Sequence, residues 1–391
     1  MMQYLLYTLF SSILFVTSAF AAGSISSVDA ISVDGQSTTI TGSSFGTNAA
    51  IGTSAFQWTG DNIEAATVGA YFQGLSGWGV YVTEEDSESA VPRYTNTDSH
   101  SGSKCVKIDW TPESVYKGHL YWDYGSSITR VYITWWIKTT DYSDDGSAQY
   151  KVWRIKNNTS FVDGCLDFLQ NVMTGPSQRI AQLVTTPGSS YWWCDGCAYQ
   201  TNEHYLESYE IIGPNSVMDR WCRLEYWIDV GTEGNNDGTF FYKFHDPDNP
   251  TPIIRDIPKL SYDGNLRIIN SGSSYTWQSV QFGGISVDGM NLIAWIDDMT
   301  IQVGSWARVE LGNASTWSAC THREIQKPTS WSATEIEFDA FYGSFASNDE
   351  VYLYVVDGDG DVSPGYGPIT LGGSVPVSNV SGNIFNGINL K

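Results

Sequence analysis

The stretch Trp221-Cys-Arg-Leu-Glu-Tyr-Trp-Ile-Asp-Val230 decides how the rest of the chain is read. Taken with a period of two, it separates into unlike faces. Cys222, Leu224, Tyr226, Ile228 and Val230 fall on one side; Trp221, Arg223, Glu225, Trp227 and Asp229 fall on the other. Successive side chains of a strand point to opposite faces, so the stretch predicts one strand with an apolar side and an aromatic, charged side. A solvated face ordinarily carries Thr, Ser or Lys rather than two tryptophans. The second face therefore has a partner, which is either a ligand or a covering segment.

The neighbouring stretches repeat this pattern. Val131–Lys138 alternates Val131, Ile133, Trp135 and Ile137 against Tyr132, Thr134, Trp136 and Lys138. Tyr150–Lys156 places Tyr150, Arg154 and Lys156 on one side. After the Trp221 strand, Asn235-Asn-Asp-Gly238 predicts a hairpin turn into Thr239–His245, where Phe241, Lys243 and His245 oppose Phe240, Tyr242 and Phe244. The aromatic-polar side of these strands predicts a composite surface of Tyr132, Trp136, Lys138, Arg154, Trp221, Arg223, Glu225, Trp227, Phe241, Lys243 and His245. Indole faces stack on the C–H patches of sugar rings, and convergent polar groups meet the hydroxyls, so this mixture suits a glycan groove. The competing expectation is that another part of the chain covers the face.

Composition supports an all-β protein. Among 391 residues, 16% are charged and 14% aromatic, and 38 are glycine. No sustained helical apolar stripe follows the N-terminal region, and short strands punctuated by Gly, Asn, Asp and Ser are expected. With 20 Lys and Arg against 43 Asp and Glu, the formal charge is −23. Such a surface repels phosphate backbones, which excludes nucleic acid as a partner and favours neutral over anionic glycans. Leu5–Phe20 is an apolar and hydroxyl run ending in Ala19-Phe20-Ala21, an export-signal pattern over residues 1–21. A secreted, periplasmic or cell-surface protein without a transmembrane segment in its mature chain is expected.

All six cysteines follow that segment. An oxidising compartment and an even count suggest disulfides, with Cys194-Asp-Gly-Cys197 the tightest pair; zinc held by Cys165, Cys194, Cys197 and Cys222 is the alternative. Tyr191-Trp192-Trp193 leads directly into that pair, so Trp192 and Trp193 are candidates for a stapled stacking platform.

Two resemblances refine the fold. Ile25–Val28 and Thr39–Gly46 resemble the opening strands of IPT/TIG domains, which are immunoglobulin-like modules, and Pro328–Ile336 resembles a later strand of the same family. Between them, His100-Ser-Gly-Ser-Lys104, the Trp221-x-Arg223-x-Glu225 strand with its hairpin, and Trp295-Ile-Asp-Asp298 resemble the concanavalin A-like lectin and glucanase superfamily, which includes laminin-G-like modules. These likenesses imply a jelly-roll sandwich over 54–303, inserted into a smaller, discontinuous Ig-like sandwich of 22–53 and 304–375, with a flexible tail over 376–391. Thirteen of the 16 tryptophans fall in the insert.

The functional expectation is non-catalytic glycan binding or surface adhesion, without a resident cofactor. A polysaccharide lyase or glycoside hydrolase is the enzymatic alternative, and a structural surface protein the third. Jelly-roll lyases use Tyr or His as base and Arg, Lys or Gln to neutralise a uronate; Arg154, His204, Tyr205, Lys243 and His245 are the candidates. Asp357-Gly-Asp359-Gly-Asp361 has hard oxygen donors at alternate positions, the pattern of a calcium loop, against a plain hairpin turn.

Overall fold

The computed structural model describes residues 23–72, 78–81, 91–109, 119–140, 153–156, 165–169, 182–185, 203–205, 219–229, 239–245, 247, 278–283 and 293–373. In chain order the strands are β1 (Ser24–Val28), β2 (Ser37–Ser43), β3 (Phe56–Trp58), β4 (Trp78–Tyr81), β5 (Arg93–Thr95), β6 (Cys105–Asp109), β7 (His119–Asp123) and β8 (Arg130–Thr139). They continue as β9 (Trp153–Lys156), β10 (Cys165–Leu169), β11 (Gln182–Thr185), β12 (Glu203–Tyr205), β13 (Cys222–Asp229), β14 (Thr239–His245), β15 (Ser279–Gly283) and β16 (Ile293–Val303). The last six are β17 (Arg308–Gly312), β18 (Arg323–Ile325), β19 (Lys327–Trp331), β20 (Glu335–Asp339), β21 (Glu350–Val356) and β22 (Tyr366–Thr370). The short α1 (Gly60–Ala65) is the α-helix among the described residues.

The strands form two sandwiches. In the larger, one sheet runs β14-β13-β8-β16-β6-β5, with β3 paired to β16, and the other runs β12-β11-β10-β9-β15-β7-β4. Their facing sides are apolar: Ile133, Trp135, Leu224, Tyr226 and Ile228 of the first sheet and Trp122, Ile155, Val280 and Phe282 of the second are buried. Trp135 stacks on Tyr226 at 5.3 Å and meets Phe282 edge-on at 5.5 Å. Each such side chain contributes about 1.5–3 kcal/mol on burial. The predicted Cys222–Ile228 alternation therefore forms one wall of this core. β13 and β14 pair with Asp229 opposite Thr239, so they form the expected hairpin, whose turn lies outside the described residues.

The smaller sandwich draws its strands from both sides of the larger one. Its sheets are β1-β2-β20-β19 and β18-β17-β21-β22. Thr39 faces Glu337 and Ile40 faces Ile336, which joins the first strands to those after residue 303. Ile40, Phe45, Val309, Leu311, Ile336, Phe338, Val351 and Leu353 pack between the two sheets. Glu335 and Glu337 point the other way, into solvent.

The His100–Lys104 and Trp295–Asp298 stretches meet each other. The backbone N–H groups of His100 and Ser101 donate to Asp297 at 2.8 and 3.3 Å, and the Ser101 hydroxyl donates to Asp298 at 2.9 Å. Behind them, the N–H groups of Ser103 and Lys104 donate to Glu64, both at 2.9 Å. Gly102 has φ +57°, and a Cβ there would lie 2.5 Å from the Glu64 carboxylate, so the motif needs glycine at its centre.

Cys105, Cys222 and Cys320 are buried, and Cys105 and Cys320 are free thiols, against the expectation of a fully paired set. Burial, followed by the nearby Asp297, pushes the Cys105 thiol far up. Cys194 and Cys197 lie outside the described residues, as do the signal-like segment and the tail. Among the described residues no helix is long and apolar enough to cross a membrane.

Candidate functional site

Of the face proposed from the sequence, the residues on β8, β13 and β14 lie side by side by register, whereas Arg154 belongs to the other sheet, and the row centred on β13 is covered. Register puts Arg223 opposite Trp136 and His245, Glu225 opposite Thr134 and Lys243, and Trp227 opposite Tyr132 and Phe241. The smaller sandwich lies over this row through β17, β18 and the segment leading into them. Tyr132, Trp136, Arg223, Glu225 and Trp227 are all buried, with Glu225 at 0% exposure. They do not present an open glycan groove. Phe241, Lys243 and His245 share the face by register, but their side chains lie outside the described residues.

The covering contact is an ion cluster. Arg323 donates to Glu225 at 3.0 Å and to Glu310 at 2.7 Å; Arg308 donates to Glu310 at 2.6 Å and to Glu225 at 3.4 Å. Arg223 donates to the Arg323 carbonyl at 2.8 Å and to the Tyr132 hydroxyl at 3.0 Å, while Tyr132 donates to Glu225 at 2.7 Å. Buried charges are tolerated only when paired and hydrogen-bonded, and here each carboxylate meets more than one guanidinium. Burial alone would raise the Glu310 carboxyl, but Arg323, Arg308 and Arg223 outweigh it and hold it far below the usual range. Arg308 also lies over the rings of Tyr132 and Trp227, at 4.4 and 4.5 Å. Beside the ions, Trp58, Trp227, Trp306, Ile325, Phe341 and Val356 form an apolar patch shared by both sandwiches.

Lys138 and Trp221 stand at the margin of the contact, where both donate to Asp98, at 2.8 and 3.2 Å. At the opposite margin Arg130 bonds Asp229 at 2.8 Å and reaches Asp359 at 3.3 Å and the Gly358 carbonyl at 3.1 Å. The loop proposed for calcium is thus a turn that docks on the larger sandwich. Asp357 accepts the N–H groups of Asp359 and Asp361, at 2.9 and 3.0 Å, which is turn capping. Among the described residues, the three potential metal ligands that converge are His100, His322 and Glu324, and not Asp357, Asp359 and Asp361.

The lyase candidates do not gather. Lys243 and His245 belong to the first sheet; Arg154, His204 and Tyr205 belong to the second. His204 and Tyr205 are adjacent on β12 and so alternate in face, and β10 and β11 separate them from Arg154 on β9. Trp192 and Trp193 lie outside the described residues.

The second sheet holds a residue that the sequence did not single out. Val280 and Phe282 point into the sandwich core, so Gln281 between them points away from it. Its register neighbours are Tyr121 on β7 and Arg154 on β9, with His119 two positions along β7 from Tyr121. Gln281 is 1% exposed, and among the described residues neither its amide nitrogen nor its amide oxygen has a hydrogen-bond partner. Leaving such a group unsatisfied costs about 1–3 kcal/mol, so its retention needs a reason. The sequence signal was slight: one polar side chain at the centre of Ser279-Val-Gln-Phe-Gly283.

No protein-family model matches the chain, and no curated protein matches it. Among solved structures it is similar to the cellulose-induced protein Cip1, at 16% identity and a TM-score of 0.34 over 58% of this chain and 91% of that one. It is also similar to the marine PL-14 alginate lyase from Aplysia kurodai, at 12% identity and a TM-score of 0.38 over 57% of this chain and 90% of that one. A third likeness is to alginate lyase vAL-1 from Chlorella virus, at 12% identity and a TM-score of 0.38 over 58% of this chain and 93% of that one.

Proposed function

We propose that the protein is an exported polysaccharide-binding protein whose ligand enters over half-buried Tyr121 on the outer face of the second jelly-roll sheet and reaches the Gln281 carboxamide beneath it, in the row Tyr121–Gln281–Arg154. The smaller sandwich, in this reading an IPT/TIG-like module, braces the first sheet and acts as a spacer. The unpaired Gln281 carboxamide carries the proposal. A carboxamide offers two donors and an acceptor, the complement of a pair of sugar hydroxyls, and Tyr121 beside it is half-buried, with ring surface for a sugar face. The charge of −23 favours a neutral glycan.

A second reading, a polysaccharide lyase, is favoured by the same row. Tyr121 is a residue type that abstracts the proton beside a uronate carboxylate, and Gln281 and Arg154 are types that neutralise that carboxylate. A glycan array with wild type and Gln281→Ala tests the first reading: binding should be present and then lost. Binding that survives Gln281→Ala and Tyr121→Ala together overturns the site. Release of unsaturated oligosaccharides, followed by ultraviolet absorbance, selects the lyase; intact polysaccharide after prolonged incubation selects the binder.

A further inference from the structure

At the junction of the two sandwiches, away from the Gln281 row, two imidazoles and a carboxylate point at one another. His100 comes from the larger sandwich; His322 and Glu324 come from the smaller one, the latter two on either side of Arg323 on β18. His322 Nε2 lies 2.6 Å from Glu324 Oε1, and His100 Nε2 lies 3.6 Å from the same oxygen. The three donor atoms all fall within 4.8 Å of one another. The Ser344 hydroxyl is a fourth polar neighbour, 3.0 Å from His322 Nε2 and 3.4 Å from Glu324 Oε1.

Each of these groups is held from behind. His100 Nδ1 lies 2.8 Å from Asp298 Oδ2, so with Nδ1 protonated the ring donates to a buried carboxylate and turns a bare Nε2 towards Glu324. The His100 ring stacks on Trp136 at 3.8 Å, and His322 stacks on Phe345 at 4.1 Å. Glu324 Oε2 accepts from Trp136 Nε1 at 3.1 Å, which leaves Oε1 for the imidazoles and the Ser344 N–H. Gly343 has φ +59°, and a Cβ there would lie 2.3 Å from the Glu324 carboxyl carbon, so the chain keeps this pocket free of side-chain bulk. Metal-ligating histidines almost always donate their second ring N–H to a carboxylate, a backbone carbonyl or water, and Asp298 supplies such a carboxylate to His100. His322 is 16% exposed, against 5% for His100 and 1% for Glu324, which provides a path from solvent.

We propose that His100, His322 and Glu324 bind one divalent cation of the zinc class, which joins the two sandwiches. Two imidazole nitrogens and one carboxylate oxygen suit Zn²⁺, at bond lengths of about 2.0–2.2 Å, with the fourth position left to water or Ser344. Calcium, which takes six or more oxygens, does not fit this donor set. Because the ligands come from both sandwiches, the ion ties the cover to the sheet beneath it.

The test uses the full chain, freed of metal with a chelator and titrated with Zn²⁺ against a chromophoric chelator. One equivalent should bind, and affinity should fall by at least about tenfold in both His322→Ala and Glu324→Gln, the second being nearly isosteric. Zinc should raise the thermal midpoint of the wild type and not of His322→Ala. The Co²⁺ form should show d–d bands without a thiolate charge-transfer band, which separates this site from the cysteines. Absence of zinc binding, or binding unaltered in both folded variants, overturns the site. A bound ion that leaves the midpoint unmoved overturns its role in joining the sandwiches.

Discussion

The outward faces of the two jelly-roll sheets have similar residue types and opposite states of satisfaction. On the first sheet, Arg223 and Glu225 are buried and each finds counter-charges from the smaller sandwich. On the second, Gln281 is equally buried and its carboxamide finds no partner among the described residues. Aromatic and charged side chains on one strand face thus announce a partner without saying whether the partner is another domain or a ligand. The distinguishing feature is whether the polar groups are already paired. A paired face is a finished interface, whereas an unpaired one is kept at a cost to stability.

Mutations at the two faces should therefore differ in the sign of their effect on stability. The largest effect is expected from Arg323→Met, which leaves Glu225 and Glu310 short of a counter-charge and should cost about 3–5 kcal/mol in urea denaturation. Trp227→Ala should cost a comparable 3–5 kcal/mol or so through lost packing, while any glycan affinity stays unchanged. Glycan affinity that falls with Trp227→Ala in a still-folded protein would return the ligand to the first sheet. Gln281→Met should do the reverse: remove glycan binding while raising stability by about 1–3 kcal/mol, the cost of the unpaired amide. A destabilised Gln281→Met would mean that the carboxamide has a structural partner and would remove the contrast.

The smallest effect is in pH. The Glu310 carboxyl is held below its ordinary value of 4.5, so its stabilising contribution is complete above that pH and fades as the solution becomes more acidic. Wild type should be more stable than Glu310→Gln at pH 7 and should lose part of that advantage by pH 3, measured as urea midpoints. A difference that stays constant between the two pH values would show that Glu310 is not ionised in the cluster.

Much of this was legible from local pattern. The period-two alternation of Trp221–Val230 predicted both faces of β13, and its flanking turn residues predicted the β13–β14 hairpin. Ile25–Gly46 and Pro328–Ile336 were read as parts of one sandwich, and β2 pairs with β20. The state of the first face was not legible. The groups that close it, Arg308, Glu310, Arg323 and Glu324, lie more than 80 residues further along, and nothing local ties them to Arg223 and Glu225. His322 escaped notice for the same reason, and His100 was read only as the start of the His100–Lys104 motif, since a histidine in a sequence carries no geometry. Gln281 became visible only when the absence of a hydrogen-bond partner could be seen.

The division of the smaller sandwich across the chain also dictates an order of assembly. β1 and β2 are synthesised first, but β20, the strand that completes their sheet, follows roughly 290 residues later. Bringing such distant segments together costs loop-closure entropy, which folding the intervening jelly roll removes by drawing its two ends to one place. On a ribosome, β2 must wait with an unpaired edge until β20 has emerged. The docking of the ionic cover onto the jelly roll would then follow the folding of the larger sandwich, and a chain truncated before β17 would lack every group that covers the Arg223–Glu225 face.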